Sequence, residues 1–317
     1  MSPGQKAFEA ALKARLRERG ALLLSADQAV VRELAAARQQ VTELLAGQPA
    51  DWQRWQLSRL LDQLTAVLDG AAGRAATSMD GALRQAWREG EDLVDKPLGA
   101  AGVNVELRLP VLDTQTLTAL RGFVSLRLKD VGSEAARKAG QQLSLVTIGT
   151  LTPFQAIQAI QAQLQAPTLQ RATTIVRTEM GRAYAVATAA RMDQAAGLVP
   201  ELQKQWRRSG KIHSRWNHDA IDGQVVDVDQ PFLVPTTHGP IKMMHPHDPK
   251  APAEEVINCG CLALPFMKGW QVMRPGAKPF TERELRLDGR KAALDQAAKR
   301  AGLRKVKAAG AAGPTAL

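Results

Sequence analysis

The sequence predicts an α+β protein: a mostly helical N-terminal region, then a compact α/β unit, then a basic C-terminal helix and tail. Three observations predict it. Residues 1–200 carry apolar positions spaced by three and four, the period of one helical face. From Pro200 the chain breaks into short alternating pieces among eight prolines (200, 231, 235, 240, 246, 249, 252 and 265), the pattern of strands and turns. From Lys268 onward there are twelve basic and four acidic residues, whereas residues 1–267 hold 30 and 27, so most of the net charge of +11 sits at one end.

Taken in order, Val30, Leu34, Ala37, Val41 and Leu44 form one apolar stripe, and Leu57, Leu60, Leu61, Leu64 and Leu68 form a second. The glycines at 70 and 73 are expected to end that helix, with another over residues 74–91 and a turn-rich or extended stretch over 96–110. Leu117, Leu120, Val124 and Leu128 mark a helix that Asp113 or Thr114 can cap. Thr152 before Pro153 reads as an N-cap and first helical residue for Ile157, Ile160 and Leu164. Pro167 is then expected to open a further helix that stops at Gly197. Thr281 and Glu284 form a capping box for a basic helix toward Lys307, and the closing Ala/Gly/Pro segment is expected to be disordered. The domain reading is 1–150 helical, 151–267 α/β, and 268–317 basic helix and tail.

Composition narrows the function classes. Apolar residues make up 45%, enough for a core, while aromatics at 4% and abundant Ala, Gln, Leu and Arg favour helix. No apolar run approaches the roughly 20 residues that a membrane span needs, so no membrane partner is expected. The first twenty residues carry Lys6, Glu9, Lys13, Arg15, Arg17, Glu18 and Arg19 without an apolar stretch, which argues against a secretory signal. Two cysteines, two positions apart, provide no disulfide framework and suit a reducing compartment. The basic end fits a polyanionic partner, nucleic acid being the commonest, or else a solvated tail. Trp52, Trp55 and Trp87 stand on polar segments as either interaction anchors or bundle core.

Chemistry is concentrated in the middle. All five histidines (213, 218, 238, 245 and 247) and both cysteines (259 and 261) fall within 49 residues. The distinctive pieces run in order: Arg177-Thr178-Glu179, Trp206, Arg215 with His218, Asp222-Gly223, Pro246 with Asp248-Pro249, and Asn258-Cys259-Gly260-Cys261. Singly each is ordinary, since Arg-Thr-Glu suits a salt-bridged helix face and Asp-Gly suits a turn. As an ordered set they are specific.

This set resembles the Mu F-like minor head proteins of tailed bacteriophages, the phage head morphogenesis family. That pattern has Arg-Thr-Glu on a helix, a Trp, Arg-x-x-His, an Asp/Gly turn, a Pro/Asp-Pro loop and a closing Asn-Cys-Arg-Cys. The likeness covers about residues 150–265. Gly260 stands where the pattern has Arg, and Lys211-Ile212-His213 replaces a usual Asp before Arg215. The resemblance implies a minor structural protein of the virion, made in the host cytoplasm and held inside the head near the portal vertex. It also implies the portal protein as partner, with scaffold or major capsid protein as further candidates, and contact with packaged phage DNA.

The basic end independently suggests sequence-independent DNA binding through Arg283, Arg286, Arg290, Lys291, Lys299, Arg300, Arg304, Lys305 and Lys307. Lys204, Arg207, Arg208, Lys211 and Arg215 make a second basic strip, read either as more DNA contact or as a solvated face. No catalytic residue is expected. The alternatives are a metal-dependent hydrolase acting on DNA, against which no His-Glu-x-x-His or paired Cys-x-x-Cys appears, and a toxin-like ADP-ribosyltransferase, for which a Glu-x-Glu is expected to be lacking in the C-terminal half, where the adjacent Glu254-Glu255 would point apart. Residues two apart on an extended strand face one way, so Cys259 and Cys261 can reach one ion. The resemblance places His218 with this Cys-x-Cys as third ligand, and His213, His238, His245 or His247 is the candidate fourth. Structural zinc is therefore one reading of the cluster. The spacing is not a standard zinc knuckle, and a metal-free polar core, with His218 bonded to Asn258 or Glu179, is the preferred one.

Overall fold

The computed structural model describes residues 2–48, 56–103, 105, 108–209 and 215–270. Four long helices come first: α1 (Pro3–Ala46), α2 (Leu57–Ala100), α3 (Gln115–Thr147) and α4 (Pro153–Ala196). Short elements follow: β1 (Leu202–Arg207), α5 (Trp216–Ala220), β2 (Val225–Asp227), β3 (Phe232–Val234), β4 (Ile241–Met243), α6 (Ala253–Val256) and β5 (Leu262–Met267). The α+β class, with a helical N-terminal region and a small sheet region after it, is as the sequence predicts. The basic tail, its capping box, Trp52, Trp55, Lys211 and His213 lie outside the described residues.

Three helix boundaries differ from expectation. α2 runs unbroken through Gly70 and Gly73. A glycine inside a helix costs about 1 kcal/mol relative to alanine, but Ala71, Ala72, Ala75 and Ala76 are buried beside them. These small residues let α2 meet α3 so closely that a Cβ on Gly132 would stand 2.8 Å from the Ala72 Cβ. α2 also continues through Pro97 to Ala100, five residues into the stretch expected to be extended. α4 likewise passes through Pro167 instead of starting there. Proline cannot donate to the carbonyl four residues back; here the Thr168 hydroxyl donates to the Gln163 carbonyl at 2.9 Å, so that acceptor is satisfied and the helix persists.

The expected caps form. The Gln115 N–H donates to Asp113 Oδ1 at 2.9 Å, so Asp113 supplies the side-chain bond at the start of α3 while Thr114 occupies the cap position. At α4, Gln155 N–H donates to Thr152 Oγ1 at 3.2 Å and Thr152 N–H donates to Gln155 Oε1 at 2.9 Å. This reciprocal pair is a capping box.

The chain forms two compact units built from discontinuous segments. One comprises Glu18–Ala86 and Asp113–Met180, a helical unit whose core joins Val41, Leu45, Leu60, Leu64, Leu68, Ala139, Leu143, Ile160 and Leu164. The other comprises Met1–Arg17, Trp87–Leu112 and the described residues from Gly181 on. It contains both sheets. In the first, β1 lies between β2 and β5, antiparallel to each, with Gln205 opposite Val225 on one side and Leu264 on the other. In the second, β3 and β4 form a hairpin with Leu233 opposite Lys242. Trp206, Phe232, Val234, Met243, Cys259 and Cys261 share this unit's core with Val94, Leu98 and Met192 from the helices. Among the described residues, no helix is long and apolar enough to cross a membrane.

Candidate functional site

The sheet-containing unit gathers most of the motif around Trp206. This side chain is fully buried in β1 and meets His218 and Phe232 edge-on, each with ring centroids 5.2 Å apart. The Trp206 N–H donates to the Gln224 carbonyl at 2.8 Å, and its carbonyl accepts from the Gly223 N–H at 2.9 Å. Gly223 has φ of 91°, a conformation other residues adopt only at a cost, which is why glycine follows Asp222 at this turn. Asp222 is buried and accepts the Arg208 N–H at 3.0 Å. Burial pushes its carboxyl above the usual value, partly countered by Arg208 and Arg207.

His218, on α5, faces the cysteine pair. Its Nδ1 lies 3.6 Å from Cys259 Sγ and 3.6 Å from Cys261 Sγ, while its Nε2 lies 2.9 Å from Glu255 Oε2. Glu255 is held by its other oxygen, which accepts from Asn217 Nδ2 at 2.9 Å. The expected partners Asn258 and Glu179 are thus replaced by Glu255, a residue of α6 that carried no motif signal. Asn258 instead takes a left-handed backbone with φ of 55° just after α6, which turns the chain into the cysteine pair. The Cys261 N–H donates to Cys259 Sγ at 3.4 Å.

Electrostatically the cluster is polarised. The Cys261 thiol, acting against burial and with help from His218, holds Cys259 well below the ordinary thiol value; Cys261 is pushed up by Cys259 and by burial. Burial would lower His218, but Cys259 and Glu255 outweigh it and hold the imidazole above its usual value. Burial would raise Glu255, and His218 reverses this. Among the described residues this trio of His218, Cys259 and Cys261 is the group whose donor atoms converge for a metal ion, all within 4.8 Å of one another. Of the histidines named as fourth ligands, His238 is exposed, His245 places Nδ1 2.8 Å from the Pro246 carbonyl, and His247 is buried against Gly181.

Other motif residues do structural work elsewhere. Asp248 accepts from the Met244 and Lys250 N–H groups at 2.7 and 2.9 Å and closes the Pro246–Pro249 loop. Arg215 donates to the Ile257 carbonyl at 2.7 Å. Arg177 belongs to the helical unit, where it pairs with Asp27 at 2.6 Å, and Glu179 is buried in that same unit.

Two members of the second basic strip, Lys204 and Arg208, are buried and present no face to DNA or solvent, while Arg207 and Arg215 stay partly exposed. Lys204 is buried and its Nζ donates to the Val228 and Met244 carbonyls at 2.8 and 2.9 Å. Arg208 is buried between Asp219 and Asp222, at 3.5 and 3.7 Å. Alternation along β1 puts Lys204, Trp206 and Arg208 on one face, and Trp206 shows that face to be the core. Trp87 is also buried, the bundle-core reading of the two offered for it.

Residues 150–264 match the family described as Phage Mu protein F like protein. The chain is 26% identical over 167 residues to the "Uncharacterized protein YqbB" of Bacillus subtilis (strain 168), covering 52% of this chain and 53% of that one. It is 30% identical over 105 residues to the NAD(+)--arginine ADP-ribosyltransferase EFV of Enterococcus faecalis (strain ATCC 700802 / V583), covering 32% of this chain and 20% of that protein. The chain therefore spans about half the length of the first relative and a fifth of the second. No solved structure matches it.

Proposed function

We infer that this chain, with its Phage Mu protein F like segment at residues 150–264, is a phage head morphogenesis protein, and we propose that it works inside the head at the portal vertex. The observation that carries the reading is the ordered motif from Arg177 to Cys261 within the matched segment. Nearly all of its polar members end in structural bonds: Asp222 on a backbone N–H, Asp248 on two, Arg215 on a carbonyl. Residues fully committed to holding a fold suit an assembly role and leave no general base or nucleophile facing solvent.

Protein contact, with the portal as leading partner, is proposed for residues 1–165. The helical unit exposes Leu24, Leu126, Ile148 and Phe154, each more than half open. Large apolar side chains at such positions suit a partner surface. Contact with packaged DNA is proposed for the basic residues after Lys268. Co-expression with the cognate portal tests the reading: an N-terminal fragment should be recovered with the portal, and recovery with the C-terminal half alone would overturn it. Mass spectrometry of purified virions should find the chain at a few copies per portal; its absence from virions would overturn the head assignment.

A second reading follows from the likeness to the arginine ADP-ribosyltransferase. Four fifths of that protein lies outside the match, so its activity does not transfer with it. Glu282-Arg283-Glu284 does supply a Glu-x-Glu in the C-terminal part, contrary to the expectation drawn from Glu254-Glu255, and lies outside the described residues. Transfer of label from NAD to arginine by the wild type but not by Glu284→Ala would favour an enzyme; no transfer is expected.

A further inference from the structure

We propose that His218, Cys259 and Cys261 bind a structural zinc ion, with Glu255 as the carboxylate that orients the histidine. The proposal does not depend on the role in head assembly. It begins with distance. In tetrahedral zinc sites with Zn–S of about 2.3 Å and Zn–N of about 2.0 Å, neighbouring sulfur and nitrogen donors stand roughly 3.5–3.6 Å apart. Both sulfurs here lie 3.6 Å from the same imidazole nitrogen. That distance also suits an N–H···S hydrogen bond, but one ring nitrogen carries at most one hydrogen, so equal distances to two sulfurs fit a shared ion better.

The surroundings agree with the first shell. Zinc-bound histidines generally give their other ring nitrogen to a carboxylate or carbonyl, which fixes tautomer and ring angle. His218 Nε2 faces Glu255 Oε2 at 2.9 Å, and Asn217 fixes that carboxylate from its other side. The backbone N–H of Cys261 donates to Cys259 Sγ, as a thiolate ligand accepts. Trp206 packs edge-on against the imidazole and covers it.

The chemistry of the donors selects the ion. Two thiolates and an imidazole are soft and borderline ligands, suited to zinc and poorly suited to magnesium or calcium. His218, Cys259 and Cys261 retain at most 4% exposure, so the site is shielded from bulk substrate, and water would complete the tetrahedron that three protein donors leave with one open position. Such an ion would tie α5 to the segment between α6 and β5, which meet in no backbone ladder.

The experiment uses the full chain without a histidine tag, purified under reducing conditions and equilibrated with zinc. Elemental analysis should give close to one zinc per chain. Cobalt in its place should show the visible bands of tetrahedral thiolate coordination. Cys259→Ser/Cys261→Ser should lose both signals. Should that variant fail to fold, Glu255→Gln serves instead: it keeps all three ligands and should bind zinc roughly 10–100-fold more weakly in a chelator competition. No stoichiometric zinc in the wild type, octahedral cobalt spectra, a Cys259–Cys261 disulfide in freshly purified protein, or wild-type affinity in Glu255→Gln would each overturn the proposal.

Discussion

The pair of Asp95 and Arg191 offers the sharpest energetic test of how the sheet-containing unit is held. Arg191 Nε donates to both carboxylate oxygens, at 2.8 and 3.0 Å, and Nη2 donates to Oδ2 at 2.6 Å. Nη1 adds the Pro110 carbonyl and Gln194 Oε1, each at 3.0 Å. The side chains of Arg191 and Asp95 keep only 6% and 4% exposure. Removing one partner of a buried pair costs about 3–5 kcal/mol, because the remaining charge is still desolvated. The exposed Arg177–Asp27 pair is as short but 45% open on the arginine side, where about 0.2–1 kcal/mol is usual. Asp95→Ala should therefore lower stability by about 3–5 kcal/mol, and Arg177→Ala by under about 1 kcal/mol. Replacing both partners, as Asp95→Leu/Arg191→Met, should recover most of the loss, short of roughly 1 kcal/mol for the vacated Pro110 carbonyl. Urea denaturation of each full-length variant, followed by circular dichroism, reads these differences. Equal shifts for Asp95→Ala and Arg177→Ala, or a double variant no better than Asp95→Ala, would refute the reasoning.

Three further outcomes are expected. Gly90→Ala places a Cβ 2.6 Å from the Tyr184 carbonyl oxygen and 2.8 Å from the Ala187 Cβ, so α2 and α4 must separate in the sheet-containing unit; thermal melting should show a loss of about 1–3 kcal/mol, and a neutral result would mean this approach is soft. Burial lowers the Lys204 ammonium to about 8, against the pull of Asp229, Asp193 and Asp248. Between that value and the ordinary lysine value the unfolded chain binds more protons, so Lys204 makes the folded state gain stability as pH rises through this window; urea midpoints measured from pH 7 to 10 should lose that component in Lys204→Met, and parallel profiles would count against it. Finally, a chain ending at Phe266 should lose most duplex-DNA affinity, and the full chain should weaken by roughly 0.9 log units per phosphate contact per decade of salt; equal binding by both would place the DNA contact elsewhere.

Periodicity and local chemistry made the helical half readable. Stripes at spacings of three and four, Asp113 before α3, and Thr152 with Gln155 at α4 all act within a turn or two of chain. Their outcome depends little on what lies opposite. The errors at Gly70, Gly73 and Pro167 share one cause. Each residue is a genuine local breaker whose cost was offset by something local rules do not count: the close α2–α3 contact in one case, a threonine hydroxyl on the stranded carbonyl in the other.

The motif order and the fold class were determined by the sequence alone, since apolar periodicity and turn residues act locally; the convergence of His218 on Cys259 and Cys261, which lie just before β5 and not on a strand, was decided by the fold. Only the tertiary structure decided which charges were buried. Lys204 finds its acceptors 24 and 40 residues away, Arg208 its carboxylates 11 and 14 away, and His218 its carboxylate on α6. A charge within a strand looks the same in sequence whether it meets water or a carbonyl. The free energy that separates the two belongs to desolvation and to partners supplied by distant segments, and it exists only once the chain has folded.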